Sequence, residues 1–248
     1  MYNSPMGARA KAKAAAITVR RRAKLLIGDH RVLLPLYLRL TPEGTARAIT
    51  ARTDLVVEGF PRSGTTFAAH ALRLAQSEPI VITNHVHNLS ILDVAISRSV
   101  PTLVVVREPV DCLASYLVWE PAAPASTVLW EWLHYHSRLV RRAHRLTVVG
   151  FEEVRTSLPD IVSRLNHRYG SAFDAPPTTE SFRSDVELEV RRRHAQVHPN
   201  QVQSRGVPVP DAGRDEAAAL ARERLGAPRH AAEVDRARAL YEELTRSR

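Results

Sequence analysis

Two arginines, each standing just beyond a run of apolar residues, are the chain's most informative chemical groups. Arg62 lies in Gly59-Phe60-Pro61-Arg62-Ser63-Gly64-Thr65-Thr66, directly after Leu55, Val56 and Val57. A buried strand, a small-residue turn and a helix start in that order predict an anion site. Free backbone N–H groups converge there, and the helix dipole favours negative charge. The ligand class is a phosphate or sulfate group. The spacing Gly59-x-x-x-x-Gly64-Thr65-Thr66 comes close to a Walker A loop, but Thr65 occupies the lysine position. No core lysine can substitute, since the only lysines are Lys11, Lys13 and Lys24. Arg107 ends a second apolar run, Leu103 to Val106, and Pro109 suits a first helical position. Asp111 favours the positive end of the dipole, and Ser115 follows one turn later on the same helix face. A carboxylate would hold Mg²⁺ at the end of such a strand, whereas an arginine repels metal and attracts an anion. Between the two arginines, His85 and His87 in Thr83-Asn84-His85-Val86-His87-Asn88 are candidate proton acceptors near neutral pH.

The segment Pro61-Arg62-Ser63-Gly64-Thr65-Thr66 resembles the phosphosulfate-binding loop of the sulfotransferase family, and residues 102–118 resemble that family's 3′-phosphate segment. The second pattern, Arg-x-Pro-x-Asp-x-x-x-Ser, is filled here by Arg107, Pro109, Asp111 and Ser115. Thr83-Asn84-His85 stands where the family usually has Lys-Thr-His, a partial match that puts His85 first as base and His87 second. Ser204-Arg205-Gly206 is similar to a later Arg-Lys-Gly element, without its lysine. The chain thus looks like a bacterial member of the family, closely over residues 55–118 and loosely elsewhere. The resemblance implies a P-loop NTPase-like α/β fold in three layers around a central parallel sheet. It implies in-line transfer of a sulfuryl group from 3′-phosphoadenosine 5′-phosphosulfate to an acceptor hydroxyl, without a metal. In that reading His85 and Arg62 are catalytic. Arg62, Ser63, Gly64, Thr65, Thr66, Arg107, Ser115, Arg205 and Gly206 bind the donor. The acceptor class stays open among small molecules, glycans and lipids. Two alternatives are a Mg²⁺-dependent phosphotransferase on the same fold and a non-catalytic nucleotide-binding scaffold.

These groups need a framework, and the chain supplies alternating strand and helix patterns. Phe67, Ala71, Leu74 and Ala75 recur at helical spacing, Ile80–Thr83 reads as a short strand, and Leu89–Ile96 as a helix. A loop is expected over 120–126, a long helix over 128–145, a strand over 146–149, and a further helix through Ile161, Leu165 and Tyr169 to Gly170. Strands separated by helices predict a parallel sheet with right-handed crossovers. Residues 171–215, rich in Pro, Ser, Arg and His with weak periodicity, read as an irregular segment that could cover the site. The segments 216–224 and 233–244 read as charged helices.

With 248 residues and 44% apolar content, the chain can bury one large core. The expected organisation is a basic arm over 1–28 and a single domain over 29–248. The formal charge of +9 is mostly the arm's: its seven cations removed, 28 basic residues face 26 acidic ones. No aromatic side chains interleave those cations after Tyr2, so nucleic acid is not an expected partner. An anionic membrane surface is compatible with residues 1–24. One cysteine, Cys112, excludes an intramolecular disulfide and a cysteine-based metal site. No run approaches the ~20 apolar residues of a membrane span. The expected location is the cytoplasm, with peripheral membrane contact through the arm as the variant.

Overall fold

The computed structural model describes residues 18–19, 47–197 and 212–246. The basic arm, residues 18 and 19 apart, lies outside the described residues. Four strands, β1 (Leu55–Glu58), β2 (Ile82–Asn84), β3 (Thr102–Val106) and β4 (Thr147–Gly150), form one sheet. They pair in parallel in the order β2-β1-β3-β4. Interleaved with them are α1 (Thr65–Ala75), α2 (Leu89–Ser97), α3 (Pro109–Trp119) and α4 (Ala125–Ala143). After β4 come α5 (Phe151–Thr156), α6 (Leu158–Tyr169), α7 (Glu180–Val197), α8 (Ala212–Leu225) and α9 (Ala231–Arg246). The chain is an α/β protein with helices on both faces of a parallel sheet.

The strands are apolar on consecutive positions because both faces are covered. Leu55, Val57, Leu103, Val105 and Val149 pack with Ala68 and Leu72 of α1, Ile161 and Leu165 of α6, and Val186 and Val190 of α7. Val56, Val104, Val106 and Val148 pack the other way, with Leu92 of α2, Leu113 of α3, and Leu129 and Trp132 of α4. Each fully buried Val or Leu contributes roughly 1.5–3 kcal/mol. An aspartate at position 104 would bury an unpaired charge in the middle of that layer.

Several boundaries depart from the sequence expectation for local reasons. Strand β2 begins at Ile82 and not at Ile80. It is an edge strand, and its Ile82 carbonyl accepts a hydrogen bond from Arg73 Nη2 of α1 at 3.0 Å. The loop after α3 is shorter than expected, because Pro124 allows α4 to start at Ala125. Within 171–215, residues 180–197 form α7, which packs on α1 with Val186 and Val190 buried. Phe182, Val186 and Val190 recur every four residues, a helical signal masked by the charges between them. Helix α6 ends as expected at Gly170, with φ 64° in the left-handed region. No described helix is long and apolar enough to cross a membrane.

Candidate functional site

In the order β2-β1-β3-β4, the chain turns one way from β1 to β2 and the other way from β1 to β3. The crevice at the carboxyl ends of β1 and β3 is therefore a topological switch point, the usual ligand position in open α/β sheets. Because the strands are parallel, three connections share that edge: 59–64, 85–88 and 107–108. Among the described residues, four non-glycine positions have positive φ: Arg62, His85, His87 and Ser99. Ser99 follows the end of α2, where a left-handed residue is ordinary. The other three all sit on the crevice edge.

The first connection is fixed by two glycines. A Cβ at Gly59 would lie 2.3 Å from the Val105 carbonyl oxygen and 2.5 Å from Ser63 Oγ, so the loop can press against β3 only without one. Gly64, at φ 100°, has its missing Cβ position filled by the Phe151 ring, 2.3 Å away. Gly64 is also the N-cap of α1, which receives no side-chain cap and has no acidic residue in its first turn. Ser63 is fully buried, and its hydroxyl has no hydrogen-bond partner among the described residues. An anion bound here would meet open amides, a buried hydroxyl and the threonines Thr65 and Thr66.

The second connection is bonded to the first. Arg62 Nε donates to Ser115 Oγ of α3 at 3.2 Å, and Arg107 Nη1 donates to the Arg62 carbonyl at 3.3 Å. The Arg107 guanidinium lies over the Phe151 ring, 4.7 Å from its centroid. Arg107 makes no ion pair with a carboxylate among the described residues, whereas its acidic neighbours do find cations. Arg222 of α8 pairs with Asp111 at 2.9 Å, and Arg238 of α9 pairs with Glu108 at 3.4 Å. Cys112 is buried under the loop, its thiol 3.5 Å from the Pro61 carbonyl, and burial pushes its pKa up to about 12. It is a packing group and a poor nucleophile.

The third connection carries the histidines. Glu58, the last residue of β1, is fully buried, and its carboxylate accepts from the backbone N–H of Val86 at 2.7 Å and of His87 at 2.9 Å. Two left-handed non-glycine residues cost about 1–2 kcal/mol each. Two hydrogen bonds to a charged acceptor contribute about 1.5–3 kcal/mol each, enough to offset that strain. Burial raises the Glu58 pKa to about 7, against the opposing pull of its backbone donors and Arg47. The His87 ring meets the Gly59 carbonyl through Nδ1 at 2.8 Å. A carbonyl only accepts, so Nδ1 bears a proton and donates it to Gly59. His85 stands edge-on to His87, ring centroids 5.6 Å apart. Its pKa falls to about 3, through burial first and then the surrounding His87, Arg47, His70 and Arg73. His85 is therefore neutral at physiological pH and a weak proton acceptor.

Of the aromatic residues near the site, Trp132 is a core residue, stacked on His136 at 3.6 Å, while Trp119 is half exposed. Phe60 of the first connection packs against Tyr116 and Tyr135. The structure thus gathers Arg62, Ser63, Gly64, Thr65, Thr66, Arg107, Ser115, His85 and His87 along one edge of the sheet. Arg205 and Gly206 lie outside the described residues. Sequence reasoning missed Glu58 and Phe151. Each had a signal: a carboxylate ending an otherwise apolar strand, and an aromatic ring immediately after β4. Among the described residues, no group of three or more His, Cys, Asp or Glu side chains could hold a metal ion. Compared with known proteins, the chain matches no family model and no curated sequence.

Proposed function

We propose that the chain is a sulfotransferase of P-loop-like architecture that takes its sulfuryl group from 3′-phosphoadenosine 5′-phosphosulfate and passes it to an acceptor hydroxyl. One observation carries this reading. The bonds from Arg62 to Ser115 and from Arg107 to the Arg62 carbonyl unite both motif segments beside an uncapped helix start at the switch point. The fit to a doubly anionic nucleotide rests on the same groups. The α1 amides, Thr65, Thr66 and the buried Ser63 hydroxyl suit the 5′-phosphosulfate, and Arg107 with Ser115 suits the 3′-phosphate.

The donor supplies an activated sulfuryl group, and the chain's residues supply position and charge. Arg62 and the amides of Gly64 to Thr66 hold negative charge where it accumulates on the leaving side, the dominant form of catalysis for such transfers. The 85–88 connection supplies the proton acceptor. His87, its ring oriented by the Nδ1 bond to Gly59, takes the base role, and His85 lines the same loop as a neutral ring. A positioned base of this kind is worth about 10²–10⁴ in rate. Arg107 at the end of β3 is the feature that speaks against a kinase, because a metal-holding carboxylate belongs there. A basic arm at residues 1–24 supports a cytoplasmic enzyme that meets a membrane surface from one side.

The test is calorimetric titration with 3′-phosphoadenosine 5′-phosphate and with ATP, each with and without Mg²⁺. Binding of the bisphosphate that is tighter than ATP and indifferent to Mg²⁺ is the expected result. Preference for ATP with Mg²⁺ would overturn the reading.

A further inference from the structure

The 85–88 connection brings two successive backbone N–H groups, of Val86 and His87, onto the two oxygens of one buried carboxylate. Successive amides around a left-handed residue form an anion-binding concavity, and here the anion is built into the chain. The carboxylate sits on β1 one residue before Gly59, whose carbonyl receives the His87 ring. Glu58 and Gly59 therefore hold the backbone and the ring of the same histidine from adjacent positions. Glu58 Oε2 is also 3.8 Å from His87 Nδ1, beyond hydrogen-bond range but close enough to favour the proton on that nitrogen.

We infer that Glu58 is the positioning residue of the proton-accepting loop. By binding the amides of Val86 and His87 it fixes the left-handed backbone at 85 and 87, and so the tautomer and direction of the His87 ring. It touches no substrate and acts only through His87. The inference rests on the proposed reading for its catalytic consequence, while its structural content stands on the loop alone. Among the described residues, the charged or titratable groups facing the carboxylate are Arg47 and His87, with His85 next along the loop. When the carboxyl is protonated, one oxygen becomes a donor and the grip on the two amides loosens. The grip is therefore about half formed near pH 7, complete only well above it, and lost below it.

The experiment compares the full chain with Glu58→Gln, which keeps the shape but turns one acceptor into a donor aimed at an N–H. Three readouts are taken: amide exchange at Val86 and His87, the ¹⁵N signature of the His87 ring, and calorimetric binding of the bisphosphate. The expected result is exchange at the two amides faster by at least about tenfold, with the ring no longer held in the Nδ1–H tautomer. Bisphosphate affinity should stay within about threefold of the parent, since the donor grip is built elsewhere. With an acceptor present, turnover should fall about 10²-fold with little change in the donor KM. The acid limb of its pH profile should flatten.

Unchanged exchange and an unchanged ring signature in Glu58→Gln would overturn the inference. Failure of the parent chain to bind the bisphosphate would instead overturn the sulfotransferase reading and leave the loop measurements interpretable. Should Glu58→Gln not fold, the parent chain serves. Its His87 ring shift must follow the ¹³C titration of the Glu58 carboxyl with a common midpoint, and independent midpoints overturn the inference.

Discussion

Helices α1 and α3 leave neighbouring strands at the same edge of the sheet and treat their first turns in opposite ways. Helix α1 begins at Gly64 with no side-chain cap and no acidic residue in its first turn. Helix α3 begins at Glu108, whose carboxylate accepts from the Asp111 N–H, and Asp111 adds a second negative charge there. A helix start carries about half a positive charge. In α3 that charge is satisfied from within, so what α3 and its strand offer a ligand is side chains, Arg107 and Ser115. In α1 the charge is left for something from outside. On the proposed reading, the contrast gives one crevice two ways to grip an anion, by backbone on one wall and by guanidinium on the other.

Closing α1 should break this contrast most severely. Thr66→Asp places a carboxylate in the first turn of α1, where it favours the helix and repels an incoming anion. Bisphosphate affinity is expected to fall by about 100-fold or more, with a Tm equal to or above the parent's. A binding loss accompanied by unfolding would show instead that the loop is a structural turn. Arg107→Ala removes the side-chain wall. Its charge-assisted hydrogen bonds are worth about 1.5–3 kcal/mol, so calorimetry should read a weakening of roughly 10- to 150-fold. The smallest effect on binding belongs to Glu108→Ala, which strips the cap of α3. Denaturant unfolding should register about 0.5–2 kcal/mol, while bisphosphate affinity stays within about threefold. A large gain in binding in Glu108→Ala would mean that the amides of α3, once freed, also take the anion.

The same contrast explains what the sequence made legible. Strands β1 and β3 are buried on both faces, so they read as apolar runs, and the residues after them fall at the sheet edge by geometry alone. Arg62, Arg107 and Ser115 could therefore be picked out, and the predicted parallel sheet is present. Glu58 was passed over although its position was visible, because a carboxylate at the end of an apolar run reads as the point where burial stops. Here burial continues, and two backbone amides hold the carboxylate. Which histidine meets the loop was hidden, since it depends on positive φ at His85 and His87. Phe151 owes its importance to a space left by Gly64, a contact far apart in the chain. Helix α7 was obscured because Val186 and Val190 are its fully buried apolar side chains among many charges.

The outer rim of β2 has a consequence of its own. Open parallel sheets expose unpaired ladder groups at their margins, and a foreign strand can add to them. Here the margin is three residues long, and the Ile82 carbonyl is already taken by Arg73. A guanidinium standing in the place of a neighbouring strand gives an incoming chain little to extend. The β2 margin is thereby shielded from strand addition by a side chain of α1, the helix whose other end faces the crevice.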